Sequence, residues 1–275
     1  MKKKKCKLLV IGAGPGGYVA AIRAGQLGIE TIIVEGEKVG GTCLIRGCIP
    51  SKAMIHAANR FQSLAEHAAK GGHMGITIPG PAELKITDLI KWKESIVNKL
   101  NKGVQQLLNK AGVETINGWA EFQDANTIKV NDTIISADNV ILANGSTPIE
   151  LPFMKFNGNI ISSREALNLE EIPEHLVVVG GGYIGLELGI TLRMLGSKVT
   201  ILEAMDSVLP IFDKELRRPL ELALKKNDIT VKTGVFAKGF EEKNGKTKVF
   251  FSDKNANKKD EYQEIIADKV LVMYK

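Results

Sequence analysis

"KLLVIGAGPGGYVAAIRAGQLGIETIIVE", residues 7–35, decides the fold. Residues 7–11 are a short apolar run closed by glycines, the pattern of a buried strand running into a turn. Residues 18–28 place small and apolar side chains at helical spacing, and "ETIIVE" is a second strand-type run. Between strand and helix, Gly12, Gly14 and Gly17 have the spacing G-x-G-x-x-G. The first glycine permits the tight turn, the second lets the backbone approach a pyrophosphate, and the third allows helix and strand to pack closely. Phosphates would rest on the helix N-terminus, where unpaired N–H groups and the dipole favour negative charge. Glu35 follows Gly12 by 23 residues, where a carboxylate can accept from a ribose hydroxyl.

The unit recurs as "HLVVVGGGYIGLELGITLRMLGSKVTILE", residues 175–203, with Gly180, Gly182 and Gly185 in the turn and Glu203 again 23 residues after the first glycine. Two matches in type and spacing make both dinucleotide sites. After Glu203 the chain reads "AMDSVLP", with no cation until Lys214. A carboxylate at this point repels a 2′-phosphate, so NAD is expected rather than NADP.

Outside these units, residues 53–70 and 86–111 read as helices, the second with a broad apolar face. "VETING", "NTIKV", "DTIIS" and "NVILAN" read as short strands, and the turn-rich "GSTPIELP" at 145–152 suggests a domain boundary. A helix near 213–227 then leads to strands "ITVKTGV", "KTKVFFS" and "KVLVMY". The expected fold is α/β, with two Rossmann-like domains of three layers. Each has a parallel central sheet and a small antiparallel β-meander, the first domain spanning 1–149 and the second 150–275.

A chain of 275 residues, 44% apolar and 25% charged, has the composition of a folded soluble protein. Its net charge of +6 owes much to Lys2–Lys5 and Lys7, expected as a solvated tail, and no aromatic-interleaved basic motif points to nucleic acid. No stretch approaches the roughly 20 apolar residues of a membrane span. Three cysteines form no disulfide framework, so a reducing, cytoplasmic location is expected.

Two of those cysteines lie in "GGTCLIRGCIPSK", residues 40–52. A metal clip, a pair of buried apolar side chains and a reacting pair all compete for Cys43 and Cys48. Zinc usually wants four ligands at shorter spacing, and neither His56 nor Cys6 completes a knuckle; no metal is expected. The setting favours redox chemistry: Gly40 and Gly41 allow close backbone approach, and Pro50 and Ser51 signal a helix start. Cys48 would then precede a helix N-terminus, with the dipole and Lys52 favouring a thiolate. A disulfide closing so small a loop stays reducible. With flavin in the first site and nicotinamide in the second, the pieces form one electron path.

"GAGPGGYVAAIRAGQLG", "GGTCLIRGCIPSKAMI", "ILANGSTP", "ISSREAL" and "VVVGGGYIGLELG" occur in an order that resembles the dihydrolipoamide dehydrogenase family of FAD-dependent pyridine-nucleotide disulfide oxidoreductases. The resemblance covers essentially the whole chain. It implies that Cys48 faces the flavin, that Cys43 exchanges with dihydrolipoamide, and that Lys52 lies near flavin N5 and pairs with Glu187. It further implies that Tyr183 borders the nicotinamide pocket and that Gly118 touches the adenine side of FAD. Asn144, Gly145 and Ser146 would flank FAD at the chain crossing. Gly41 and Thr42 complete the residues expected around FAD, and Val235 those around NAD. The implied partners are a dihydrolipoamide group on the acyltransferase of a 2-oxo acid dehydrogenase complex and, in the family, a second copy of the chain.

Four positions depart from the family pattern. Ile45 and Arg46 stand where Asn-Val is usual, Asn144 replaces Thr, and Ala120 replaces a second glycine. The family also continues beyond a strand like "KVLVMY" into a central and a dimerisation domain, the latter supplying a His-Glu acid/base pair across the dimer. None of His56, His67, His73 and His175 sits in such a motif. The chain alone is therefore expected to bind flavin weakly and to have lost most lipoamide turnover. Two other readings stand beside this one: a related NADH-dependent disulfide reductase acting on glutathione or mercuric ion, and a non-catalytic product that keeps the nucleotide-binding folds.

Overall fold

A computed structural model describes residues 1–72, 75–254, 256 and 262–273. His73 and the ends of the expected strand "KVLVMY" and of the chain, Tyr274 and Lys275, lie outside the described residues. The chain divides into two compact units, one of residues 1–50 and 92–147, the other of 51–91 and 148–275.

The first unit starts with β1 (Lys2–Ile11), α1 (Pro15–Gln26), β2 (Thr31–Glu35) and α2 (Gly41–Arg46). Two long helices follow, α3 (Cys48–Ala69) and α4 (Ile86–Lys110), both of which run across the division between the units. The first unit is completed by β3 (Glu114–Asn117), β4 (Ala120–Phe122), β5 (Thr127–Val130) and β6 (Thr133–Leu142). Its sheet has the order β3-β2-β1-β6-β5-β4, with β1, β2, β3 and β6 parallel and β4, β5 and β6 antiparallel.

Alternation along the strands makes the layers. Val10 and Ile33 pack with Ala21 of α1 and with Val97, Val104 and Leu108 of α4. Their neighbours Leu9, Ile32 and Val34 pack with Ile128, Val130 and Ile135 of the antiparallel strands. The parallel strands β1 and β2 thus have helices on one face and side chains of the antiparallel strands on the other, as successive side chains on opposite faces require. "DTIIS" and "NVILAN" are one strand rather than two, because β6 is both the last arm of the hairpin and the parallel neighbour of β1. The lysine run is part of β1, not a tail. Lys2–Lys5 pair with Thr133–Ser136, and Lys4 bridges Glu114 at 2.7 Å.

The second unit adds β7 (Ile160–Ile161), α5 (Ser163–Ala166), β8 (His175–Val179), α6 (Tyr183–Met194), β9 (Lys198–Glu203) and α7 (Lys214–Lys226). After these come β10 (Thr230–Thr233), β11 (Val235–Lys243), β12 (Lys246–Asp253), β13 (Gln263–Ala267) and β14 (Lys269–Val272). Its parallel sheet has the order β10-β9-β8-β14-β7, and β11, β12 and β13 form a separate antiparallel sheet. Leu176, Val178, Val199, Ile201 and Leu271 face a core shared with Leu186, Leu188 and Leu192 of α6 and Leu224 of α7. Val177, Val179, Leu202, Val270 and Val272 face Val235, Val249 and Phe251 of the antiparallel sheet. Helices, parallel sheet and antiparallel strands are the expected three layers.

The path between the units differs from a single boundary at 149/150. Met54 and Ala58 of α3 and Leu89 of α4 are buried in the helical core of the second unit, so residues 51–91 belong with it. A turn-rich linker marks where the chain is exposed, whereas the division follows where the apolar faces of α3 and α4 are buried.

One half-buried imidazole gives the second unit a pH response. His175 opens β8, its Nε2 lies 3.0 Å from Thr200 Oγ1, and its backbone N–H donates to Asp268 at 2.8 Å. Burial, then Lys198, holds the imidazole pKa below its usual value, against the opposing pull of Asp268. The unfolded chain therefore takes up a proton near pH ~6.5 that the folded chain resists, and stability falls as pH drops through that range. The urea midpoint should decrease between pH ~7.5 and ~5.5, and His175→Gln should lessen the decrease; equal slopes would refute this assignment.

Candidate functional site

Both glycine turns are built alike, atom for atom. In the first, Gly12 N–H donates to Val34 O at 2.8 Å and Ala143 N–H to Ile11 O at 2.8 Å. In the second, Gly180 donates to Leu202 O at 2.8 Å and Met273 to Val179 O at 2.8 Å. Gly12 and Gly180 have φ of 98° and 111°, the left-handed region where a side chain is strained. A Cβ on Gly12 would lie 2.2 Å from Ala143 O, and one on Gly180 2.7 Å from Met273 O. The third glycines are wedged as tightly. A Cβ on Gly17 would sit 1.8 Å from Gly12 O, and one on Gly185 2.5 Å from Gly180 O.

The middle glycines behave differently. A Cβ on Gly14 would meet only Gly41 Cα at 3.8 Å, and one on Gly182 nothing within 4 Å. Nothing in the protein forbids a side chain there, so glycine keeps open a hollow that a Cβ would fill. These glycines are the N-caps of α1 and α6, and neither helix has a side-chain cap. The first-turn N–H groups and the helix dipole therefore face a cradle that suits an anion.

Each acidic residue clamps its own turn. Glu35 accepts from Ala13 N–H at 2.7 Å and from Glu37 N–H at 2.9 Å. Glu203, 7% exposed, accepts from Gly181 at 2.5 Å and Met205 at 2.7 Å. A carboxylate has about four acceptor positions, so two bonds leave capacity for a ribose hydroxyl. The fold also brings in a cation that the local sequence after Glu203 does not show, since the Arg217 guanidinium of α7 reaches the Ser207 hydroxyl.

The cysteine segment grows out of the first turn. Gly40 N–H donates to Ala13 O at 2.8 Å, and Gly41, with φ 60°, lies so close that a Cβ would be 2.4 Å from Gly14 Cα. Thr42 and Cys43 lie in α2, Thr42 exposed and Cys43 half-buried; the exposed Cys48 is the first residue of α3. Cys48 was expected just ahead of a helix, with Pro50 opening it. The helix begins two residues earlier because proline is tolerated throughout a first turn, where no N–H is needed. Both sulfurs are thiols in this structure. Gly47 returns the chain between them, since a Cβ there would lie 2.8 Å from Thr42 O and 3.4 Å from Cys43 Cα. Arg46, the departure noted in the sequence, forms an ion pair with Glu37 just after β2.

Lys52 is four residues beyond Cys48 on α3, and its Nζ donates to both oxygens of Glu187 at 2.7 and 2.8 Å. The two side chains are 59% and 38% exposed, so the pair contributes at most about 1 kcal/mol to stability and serves to position the groups. Of the four expected catalytic residues, Cys43 and Cys48 belong to the first unit and Lys52 and Glu187 to the second. Tyr183 opens α6 and is exposed, Val235 opens β11 and is buried, and Asn144, Gly145 and Ser146 form the exposed segment after β6. Gly118 N–H donates to Glu35 O at 2.9 Å, and Asn131 and Val130 occupy the space a Cβ would need. Among the described residues, no group of three or more His, Cys, Asp or Glu side chains could hold a metal ion, and no helix is long and apolar enough to cross a membrane.

Comparison with known proteins bears on this arrangement directly. A family model described as pyridine nucleotide-disulphide oxidoreductase matches residues 6–274. The chain belongs to the pyridine nucleotide-disulphide oxidoreductase family. Members of this family are oxidoreductases that use FAD and NAD. A dihydrolipoyl dehydrogenase of Pseudomonas aeruginosa is 44% identical over 98% of this chain and 57% of its own length. One from Geobacillus stearothermophilus is 45% identical over 89% of this chain and 54% of its own length. The chain thus spans a little over half the length of these curated relatives. Among solved structures, LpdA from Mycobacterium tuberculosis superposes with a TM-score of 0.84 at 23% identity, over 99% of this chain and 58% of its own. The HOCl-induced flavoprotein disulfide reductase RclA in its Cu(II) complex, from Escherichia coli, gives 0.82 at 23%, over 99% and 57%. At this identity these two share the family fold.

Proposed function

We propose that the first unit holds FAD, that the second holds NAD, and that an electron pair passes between these cofactors and the Cys43/Cys48 pair. The substrate is a dithiol of dihydrolipoamide type. The observation that carries this reading is the seating of the cysteine segment on the first phosphate turn, by the Gly40–Ala13 hydrogen bond and the Gly41–Gly14 approach. A redox pair built onto a nucleotide cradle has its electron acceptor supplied by that cradle.

Gly12, Gly14 and Gly17 with the start of α1 would hold the FAD pyrophosphate and Glu35 its ribose. Gly118 and residues 144–146 would border the rest of it. Gly180, Gly182, Gly185, Tyr183, Glu203 and Val235 would do the same for NAD. The flavin supplies acceptance and return of an electron pair next to the cysteines. The remaining chemistry belongs to the protein's own sulfurs. A substrate thiolate attacks Cys43 Sγ of the Cys43–Cys48 disulfide, and Cys48 leaves as thiolate. The second substrate thiolate then displaces Cys43, which closes the substrate disulfide and leaves both cysteines reduced. Lys52, held by Glu187, provides the fixed cation next along α3 from Cys48. On this reading the working partners are a lipoyl-bearing acyltransferase of a 2-oxo acid dehydrogenase complex and a second copy of the chain, in the reducing cytoplasm.

Equilibrium dialysis with FAD and with NAD, followed by anaerobic mixing with NADH or NADPH, tests the reading. Both cofactors should bind, and NADH should bleach the flavin at least about tenfold faster than NADPH, since a buried carboxylate opposes a 2′-phosphate. Absence of both binding events would leave a non-catalytic protein. Preference for NADPH would assign Arg217 the role of phosphate ligand.

A further inference from the structure

We infer that Arg46 is a positioning residue for Cys43: its guanidinium, held by Glu37, supplies the cation against which the Cys43 sulfur takes up negative charge as it leaves the substrate. The inference rests on the reading that the Cys43/Cys48 pair exchanges with a dithiol, and it gives a task to a side chain which that reading leaves idle.

Cys43 and Arg46 are three residues apart on α2, a spacing that makes them neighbours on one helix face. A long helical side chain leans towards the N-terminus, over the turn before it. For Arg46 that turn carries Thr42 and Cys43. Its ion pair with Glu37, which precedes α2 in the chain, has the same direction. Glu37 is itself anchored. Its backbone N–H donates to Glu35 Oε1 at 2.9 Å, and Glu35 Oε2 accepts from Ala13 N–H at 2.7 Å. Ala13 O in turn accepts from Gly40 N–H at 2.8 Å, just ahead of α2. Both ends of the cysteine segment are thereby tied to one residue of the first glycine turn, and the guanidinium is fixed rather than swinging in solvent.

α3 repeats the pattern. Cys48 is followed four residues later by Lys52, which Glu187 holds at 2.7 and 2.8 Å. Each cysteine thus has a cation one turn further along its own helix, and each cation has its own glutamate. The two cations serve different sulfurs. In the closing step of exchange the second substrate thiolate forms the substrate S–S bond, and the bond to Cys43 Sγ breaks. That sulfur keeps the electron pair as a thiolate, and no proton moves. A neighbouring positive charge lowers the basicity of this leaving group and so speeds its departure.

Alkylation reads the thiolate character of Cys43 directly. In a Cys48→Ala parent the remaining cysteines are Cys43 and the buried Cys6. The measurement is the rate at which iodoacetamide, a neutral reagent, labels the Cys43 peptide at pH ~7, followed by mass spectrometry. Arg46→Gln should slow it at least about threefold, which is what one charge about 6 Å away does through water. Arg46→Lys keeps the charge and should stay within about twofold of the parent. Glu37→Gln frees the cation of its counter-charge and should be at least as fast as the parent. A purely structural tie would instead make Arg46→Gln and Glu37→Gln fail alike. Slowing of less than about threefold in Arg46→Gln, no rescue by Arg46→Lys, or slowing in Glu37→Gln would overturn the inference. Circular dichroism checks that each variant folds, and Arg46→Met is a second neutral variant should the Gln protein misfold. The assay needs no cofactor. Failure of FAD to bind in equilibrium dialysis would therefore count against the electron-path reading, while the alkylation rates judge Arg46 separately.

Discussion

Cys48→Ala in the FAD-loaded protein abolishes the long-wavelength thiolate-to-flavin absorption that develops on reduction with NADH, whereas Cys43→Ala retains it. Four residues separate the two cysteines in sequence, yet their settings differ. Cys48 is the first residue of a 22-residue helix, so its side chain stands at the positive end of α3. Cys43 is inside the six-residue α2, on the segment that starts from the Gly14 turn. Gly47 lets α3 begin close against the backbone of Thr42 and Cys43. Loss of either cysteine should reduce disulfide exchange by at least about a thousandfold, because paired groups that act as a unit fail together. The absorption separates their roles where turnover cannot. Unchanged absorption in Cys48→Ala would reverse the assignment.

Gly17→Ala and Gly14→Ala should fail in different ways. On Gly17 the new methyl would be 1.8 Å from Gly12 O. That oxygen cannot step aside, since Gly12 is tied to Val34 and wedged against Ala143. The substitution should cost about 4 kcal/mol or prevent folding of the first unit, at the upper end of single-residue effects. On Gly14 the methyl meets no protein atom closer than 3.8 Å. Its urea midpoint should match wild type, while FAD affinity falls by at least about a hundredfold because the cradle is filled. Gly103→Ala on α4, with nothing within 4 Å, serves as a control and should gain about 0.5–1 kcal/mol from helix propensity. A Gly17→Ala protein within about 1 kcal/mol of wild type would refute the close-packing account.

Much of this site could be read in the sequence, and the parts that could not share one cause. The two G-x-G-x-x-G turns and their acids are local patterns, in which each residue's task depends on neighbours along the chain. Glu35 and Glu203 end β2 and β9, as their place at the close of a strand-type run indicates, but their grip on backbone N–H groups across the turn appears only in three dimensions. The pairing of Lys52 with Glu187 spans 135 positions and came from resemblance, since no period or spacing links them. Gly47 carried a signal, a glycine between two cysteines, that was outweighed by the glycines before them. Arg46 on Glu37 and Arg217 on Ser207 carried none, because each joins segments that meet only through sheet order or packing. The single strand β6 was divided for the same reason. Its polar middle reads as a break until its two different neighbours are known.

The excursion of residues 51–91 out of the first unit and into the second has a consequence for how the molecule is made. As the chain emerges in order, β1 and β2 must wait for β3 and β6, while Met54, Ala58 and Leu89 wait for strands that begin at His175. The second unit thus draws on residues made before the first is complete, unlike domains that are contiguous in sequence and fold one after the other. A gene cut at codon 150 would give a downstream fragment deprived of three buried side chains and an upstream fragment left with their apolar faces uncovered. A lesion in the middle of the first half of the message is thus felt in the product of the second.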